Sequence, residues 1–313
     1  MVINIFEGSS ETTREAFCFD LYLKYKPAHI KTVNFIFLQW FIGFSEGTFG
    51  GSFHCWYDKR NKQKRAGFTI DQKDPKVLYW IRKELGFGTV LPTKGYWRFQ
   101  VWDRENLHRI YCLFAGNMVL DKTHLHFQRW STFLVFPSQF SISDSYSQQM
   151  EKNKRSGAGL IALNNAWLSG FWQADGGFYA TGTYKDNQAK LFNSCYITQR
   201  QESNALNCIS IAIHGKKKKI SQIVNKSGQI NRLDFASLDT LSVLIAYLNK
   251  YKLVGEKRLT FLRWCRIFNM RMDMDLQIQK DKYKCKDLLL SLKSIKKLKR
   301  LIAATRTCVT KTK

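Results

Sequence analysis

Residues 166–178, AWLSGFWQADGGF, decide the fold. Trp167, Leu168 and Phe171 form an apolar helix that carries a small residue every fourth position, Gly170 and Ala174. Those two share one face and let another backbone come close. The helix is expected to stop at Asp175, Gly176 and Gly177, because glycine is the usual helix terminator. A carboxylate just before that stop lies at the negative end of the macrodipole, where it is disfavoured. It needs a compensating cation, such as a metal.

The stretch has a partner. Residues 40–47 read WFIGFSEG. Trp40 matches Trp167, Gly43 matches Gly170, Phe44 matches Phe171 and Gly47 matches Ala174, each pair 127 residues apart. Two copies of a close-packing helix, each with an acid near its end, point to a pseudo-twofold axis where the helices meet. Gly43, Gly47, Gly170 and Ala174 are the expected packing positions.

Both copies resemble the LAGLIDADG motif of homing endonucleases and intron maturases. The second, Leu168 to Gly176, matches well; the first matches well only to Gly47. Residues 84–88 (ELGFG), residues 116–120 (GNMVL) and Lys257-Arg258-Leu259 leading into Arg263-Trp264 are similar to the single-chain, fungal-type mitochondrial members. The resemblance covers residues 20–285 and implies an α+β fold. Each of two pseudo-symmetric αββαββα halves would be an antiparallel four-stranded saddle backed by helices, with the motif helices packed at the axis.

Composition agrees with a nucleic-acid ligand. The 313 residues hold 50 Lys and Arg against 24 Asp and Glu, a formal charge of +26. The isoelectric point near 9.8 is the footprint of a protein that meets a polyanion. A membrane surface is the second candidate and a merely basic soluble protein the third. No apolar run is long enough to span a bilayer, and no membrane partner is expected. The eight cysteines are widely spaced with no Cys-x-x-Cys pair, so free thiols in a reducing compartment are expected and no zinc site is legible. The first 30 residues contain Glu7, Glu11, Glu15 and Asp20 and do not look like a transit peptide. That is compatible with synthesis inside an organelle, and equally with a cytosolic protein; the resemblance favours a mitochondrial location.

Along the chain, residues 1–34 read as a poorly patterned leader and 35–137 as the first half. A helix from Asn34 to Gly47 leads into strand-like Phe49–Tyr57 and Lys64–Ile70. Asp74-Pro75 opens a helix striped by Leu78, Ile81 and Leu85. Residues 95–102 alternate: Trp97, Phe99 and Val101 on one face, Tyr96, Arg98 and Gln100 on the other. Asp103 caps a further helix, and another helical stretch runs from Lys122 to Val135. The Ser-rich, then basic, residues 138–159 read as a linker.

Residues 160–313 repeat the order and add a basic extension. A helix is predicted over Leu160–Asp175, then strands Phe178–Tyr184 and Lys190–Ile197. A helical stripe (Leu206, Ile209, Ile213) precedes four lysines, 216–219, and a hairpin turning at Ser227-Gly228. Ser237 caps a helix striped by Leu238, Leu241, Leu244 and Leu248. Leu288, Leu292, Ile295, Leu298 and Ile302 form a last stripe, with Lys293, Lys296, Lys297 and Arg300 off it. That is either a solvated amphipathic helix or an arm on nucleic acid.

Phosphodiester hydrolysis needs an activated water, charge neutralisation at phosphate and a stabilised leaving oxygen, all of which carboxylate-held divalent metals supply. The resemblance implies staggered cutting of both strands of double-stranded DNA, with Mg2+ held by the last acid of each motif. In the second copy that acid is Asp175. In the first, the aligned residue is Thr48, with Phe49 where glycine belongs; Gly50-Gly51 reads as an insertion that moves the turn downstream. Either the first half has lost its acid, or Glu46 stands in for it. Asp175 and Glu46 are thus the candidate catalytic and metal-binding residues. Arg65, Arg98, Gln100, Lys216, Lys217 and Arg232 are the candidate nucleic-acid contacts.

Three functions fit. The first is a site-specific DNA endonuclease encoded in an organellar intron, acting as a monomer because both motifs lie in one chain. The second is a maturase-like binder of its own intron RNA that has lost cleavage, as Thr48 and the high charge would allow. The third is a structural basic protein of a ribonucleoprotein.

Overall fold

The computed structural model describes residues 17–48, 53–60, 62–134, 161–185, 188–200, 202–225 and 228–280. The expected linker, the glycine turn at residues 50–51 and the last basic stripe lie outside them.

The first half runs α1 (Asp20–Tyr25), α2 (Phe35–Gly47), β1 (Phe53–Asp58), β2 (Gln63–Gln72), α3 (Pro75–Leu85), β3 (Thr89–Thr93), β4 (Tyr96–Val101), α4 (Arg104–Phe114) and α5 (Asp121–Ser131). The second runs α6 (Trp167–Asp175), β5 (Gly176–Lys185), β6 (Gln188–Gln199), α7 (Ser203–His214), β7 (Ser221–Asn225), β8 (Gly228–Phe235), α8 (Leu238–Lys250) and α9 (Gly255–Lys280). Each half holds one antiparallel sheet, ordered β1-β2-β4-β3 and β5-β6-β8-β7.

Local sequence explains most of these elements. The Asn34 side chain accepts from Phe37 N at 3.1 Å and starts α2. Asp103 caps α4 by accepting from Asn106 N at 2.9 Å. Asp74 caps two helices, one from each half: Oδ1 accepts from Lys76 N and Oδ2 from Glu256 N, both at 3.0 Å. Gly255 fits there because its φ is +60° and a Cβ would lie 2.0 Å from that Oδ2.

One expectation needed correction. The helix predicted over Leu160–Asp175 starts only at Trp167. The residues before it are held irregular: Asn165 Oδ1 accepts from Trp167 N, and the Asn165 carbonyl accepts from the Tyr247 hydroxyl. The stop of α6 falls at Asp175 as expected, with Gly176 as its C-cap; the φ and ψ of Gly176 are −78° and 152°, so the chain passes straight into β5 without a left-handed turn. Glycine is required there for room, since a Cβ would lie 2.2 Å from the Trp172 ring. Strand β3 escaped the pattern because Pro92 interrupts it; as an edge strand it tolerates the missing donor.

The segment before α2 is partly packed. Phe17, Phe19 and Tyr22 are buried. Asn117, past α4, clasps Cys18 by accepting from its N and donating to its carbonyl, at 2.9 and 2.7 Å. The six described cysteines are free. Among the described residues no helix is long and apolar enough to cross a membrane.

Helices α2 and α6 cross at the centre. A Cβ on Gly43 would lie 2.0 Å from the Trp167 carbonyl oxygen, and one on Gly170 would lie 1.8 Å from that of Trp40. Gly47 faces Ala174 in the same seam. The indoles mirror one another, Trp40 stacking on Phe44 at 4.7 Å and Trp167 on Phe171 at 4.8 Å between centroids. The seam places the C-terminal ends of both helices side by side, beside the strand ends.

Candidate metal and nucleic-acid site

One pocket opens at those helix ends. Glu46, Thr48 and Thr123 line it from the first half, Asp175, Gln199 and Glu202 from the second. Lys122 and Arg200 add positive charge to its wall. Both predicted acids are therefore brought together, but their surroundings differ.

Asp175 is the last residue of α6 and part-buried. Its Oδ2 accepts from Gln199 Nε2 at the end of β6. Burial pushes the carboxyl up to about 7, and the nearby Lys257 ammonium pulls it back down. Lys257 comes from the first turn of α9. Its Nζ donates to the carbonyls of Trp172 at 3.1 Å, Ala174 at 3.3 Å and Gly176 at 2.7 Å. The cation that a helix-ending acid needs is thus an ammonium of the chain itself, seated on the negative end of α6. Lys257 was legible in the sequence as part of a motif resemblance, yet helix pattern alone gives it no role; it comes from 81 to 85 residues downstream of the carbonyls it reaches.

Glu46 is buried, with 4% of its surface exposed, and both oxygens are engaged. Oε1 accepts from Val119 N at 2.9 Å and Leu120 N at 2.8 Å. Oε2 accepts from Trp167 Nε1 at 2.7 Å. Burial pushes this carboxyl up to about 7, opposed by the three N–H donors and reinforced slightly by Glu202. Thr48, at the C-cap of α2, donates to the Ser45 carbonyl at 2.8 Å. Glu202, which sequence pattern did not single out, accepts from Lys122 N at 3.1 Å and ties the second half to the first.

Each sheet buries one face and leaves the other open. In the first, Phe68, Ile70, Phe99 and Val101 are buried. The alternating positions carry Arg65 opposite Trp56, Arg98 opposite Asp71 and Gln100 opposite Thr69. Arg98 pairs with Asp71 through two bonds of 2.8 and 2.9 Å. In the second sheet Arg232 lies 3.8 Å over the Tyr196 ring and pairs with Asp234 at 2.8 Å. Lys216 and Lys217 lie exposed in the loop between α7 and β7, off both sheets. The sheets thus gather Arg65, Arg98, Gln100 and Arg232 on their open faces, while the lysine pair stands apart.

Comparison with known proteins agrees with this geometry. Residues 168–268 match the family of LAGLIDADG endonucleases. A Neurospora crassa protein named "Probable intron-encoded endonuclease 4" is 30% identical over 278 residues, covering 86% of this chain and 44% of its own length. The chain therefore spans under half of that relative. "Probable intron-encoded endonuclease Cox1-I1b" of Schizosaccharomyces pombe is 26% identical, covering 83% of this chain and 70% of its own. Among solved structures, the meganuclease I-SmaMI bound to uncleaved DNA with calcium superposes with a TM-score of 0.61 at 15% identity, over 88% of this chain and 99% of its own. The meganuclease I-AabMI bound to uncleaved DNA gives 0.59 at 15% identity, over 85% and 98%. With two glycine-seamed motif helices, two matching four-stranded sheets and these relatives, the chain belongs to the LAGLIDADG endonuclease family.

Proposed function

We propose that the chain is a site-specific endonuclease that hydrolyses phosphodiesters in double-stranded DNA, with Asp175 holding a divalent cation, Mg2+ in the cell. The observation that carries this is the placement of Asp175. It ends α6 in a pocket flanked by two open polar sheet faces, with Lys257 and Gln199 beside it. Among the described residues no three His, Cys, Asp or Glu side chains gather, so an ion on Asp175 would be one that needs few protein ligands. Magnesium takes one or two carboxylates and completes its shell with phosphate and water. Bound there, a divalent ion would polarise phosphate and lower the pKa of a water.

The chain's own residues do the rest. Gln199 fixes the Asp175 carboxylate, and Lys257 supplies positive charge close to where a phosphate would sit. Water oxygen bonds to phosphorus, one phosphorus–oxygen bond breaks, and the leaving sugar oxygen takes a proton. In this reading Arg65, Arg98, Gln100 and Arg232 would meet base edges and backbone from the open sheet faces, and Lys216 and Lys217 would meet phosphates beyond them. Both motifs lie in one chain, which supports a monomer. The cox1 name of the yeast relative supports an intron-encoded, mitochondrial protein.

Incubating the protein with a duplex selected by binding from a randomised library, in Mg2+ and in EDTA, tests this. Metal-dependent cleavage at one position is expected. A second reading, a binder of intron RNA that does not cut, is favoured by Thr48 at the acid position of the first motif. Tight RNA binding with no cleavage of any duplex would select it.

A further inference from the structure

One hydrogen bond repeats between the two halves. In the first, Glu46 Oε1 accepts from Leu120 N at 2.8 Å. In the second, Gln173 Oε1 accepts from Val254 N at 2.9 Å. Glu46 and Gln173 occupy the same motif position, and Leu120 and Val254 each directly precede the last helix of their half's common order, α5 or α9. Glu46 therefore does the work of Gln173, pinning a motif helix to that loop. It is not the counterpart of Asp175.

The same equivalence locates the true counterparts. Two residues past Gln173 is Asp175; two past Glu46 is Thr48. Three past Val254 is Lys257; three past Leu120 is Thr123. Strand pairing fixes the third position. Arg98 faces Asp71 as Arg232 faces Thr198, so Gln72 corresponds to Gln199. The second half carries Asp, Gln and Lys; the first carries Thr, Gln and Thr. At the positions equivalent to Asp175 and Lys257, the first half thus has neither a carboxylate nor an ammonium.

We propose that the halves are chemically unequal, that one metal-binding centre exists, at Asp175, and that the enzyme nicks only the strand whose phosphate lies over it. The first half binds and orients duplex without reacting. Lys122 supplies charge for a phosphate on that side, but Thr48 cannot hold a hard cation as a carboxylate does. This rests on the endonuclease reading above.

The test uses the selected duplex with each strand end-labelled in turn. In Mg2+, one label should shift on a denaturing gel and the other remain full length. The same site in a supercoiled plasmid should give open circles without linear product. A readout independent of turnover is titration of the protein–duplex complex with calcium. One tight equivalent is expected, lost in Asp175→Asn and retained in Thr48→Ala. Cleavage of both strands at similar rates, or two calcium sites, would overturn the single-centre proposal while leaving an endonuclease. Duplex binding without cleavage of either strand, or no duplex binding at all, would remove the proposal and the endonuclease reading together.

Discussion

Trp167 and Glu46 join the two halves by one buried bond, indole Nε1 donating to the carboxylate Oε2 at 2.7 Å across 121 residues of sequence. The mirror bond does not exist: Gln173 turns both of its amide atoms to Val254, and Trp40 Nε1 is buried without a partner among the described residues. The pseudo-twofold axis relates shapes more closely than it relates chemistry.

This asymmetry makes a paired prediction. Trp167→Phe should destabilise the protein more than Trp40→Phe, by about 1–3 kcal/mol, because only the first leaves a buried carboxylate oxygen without its donor. Both changes remove similar indole volume, so the cavity contribution largely cancels. Equal losses in denaturant unfolding would show that the bond contributes nothing.

Stability should fall as pH rises between the unfolded and folded values of Glu46, 4.5 and about 7. Within that window the unfolded chain releases the proton while the folded chain retains it, so unfolding is favoured as pH increases. The contribution is at most on the order of 3 kcal/mol, reduced by whatever structure persists in the unfolded chain. Glu46→Gln should flatten this part of the profile, though at a cost, since its amide N–H would face the Trp167 indole N–H. A profile of the same slope in both proteins would place the titration elsewhere.

Gly170→Leu and Gly43→Leu should each lower the melting temperature, with a loss of about 1–3 kcal/mol or more. The built Cβ at these positions already meets backbone, at 1.8 Å from the Trp40 oxygen and 2.0 Å from the Trp167 oxygen. An unchanged melting temperature would mean that α2 and α6 separate readily.

Duplex affinity should fall steeply with salt, with a log–log slope of about −0.9 per phosphate contact. The charge of +26 and the open faces bearing Arg65, Arg98 and Arg232 motivate this. An affinity flat between low and moderate salt would remove the electrostatic basis for nucleic-acid binding.

Much of the fold was legible because its signals are local. The caps at Asn34, Asp74 and Asp103 and the alternation at Tyr96 to Val101 depend on neighbours in sequence. Gly43 and Gly170 were legible because close helix contact demands small residues at fixed spacing. The site was less so. Sequence shows an acid at Glu46 but not that Leu120 and Trp167 consume its oxygens, since those donors lie 74 and 121 residues away. It shows Lys257 but not that its ammonium closes the end of α6. The late start of that helix was hidden for the same reason: Tyr247 fixes the Asn165 carbonyl from 82 residues downstream.

The endonuclease proposed here has its reacting centre at Asp175. The most direct test of this is to measure binding and Mg2+-dependent cleavage of one selected duplex by the wild type and by Asp175→Asn. The substitution keeps the side chain's shape and removes the charge that would hold the ion. Binding should stay within a few fold while cleavage drops to background. Cleavage by Asp175→Asn at the wild-type rate would contradict the assignment.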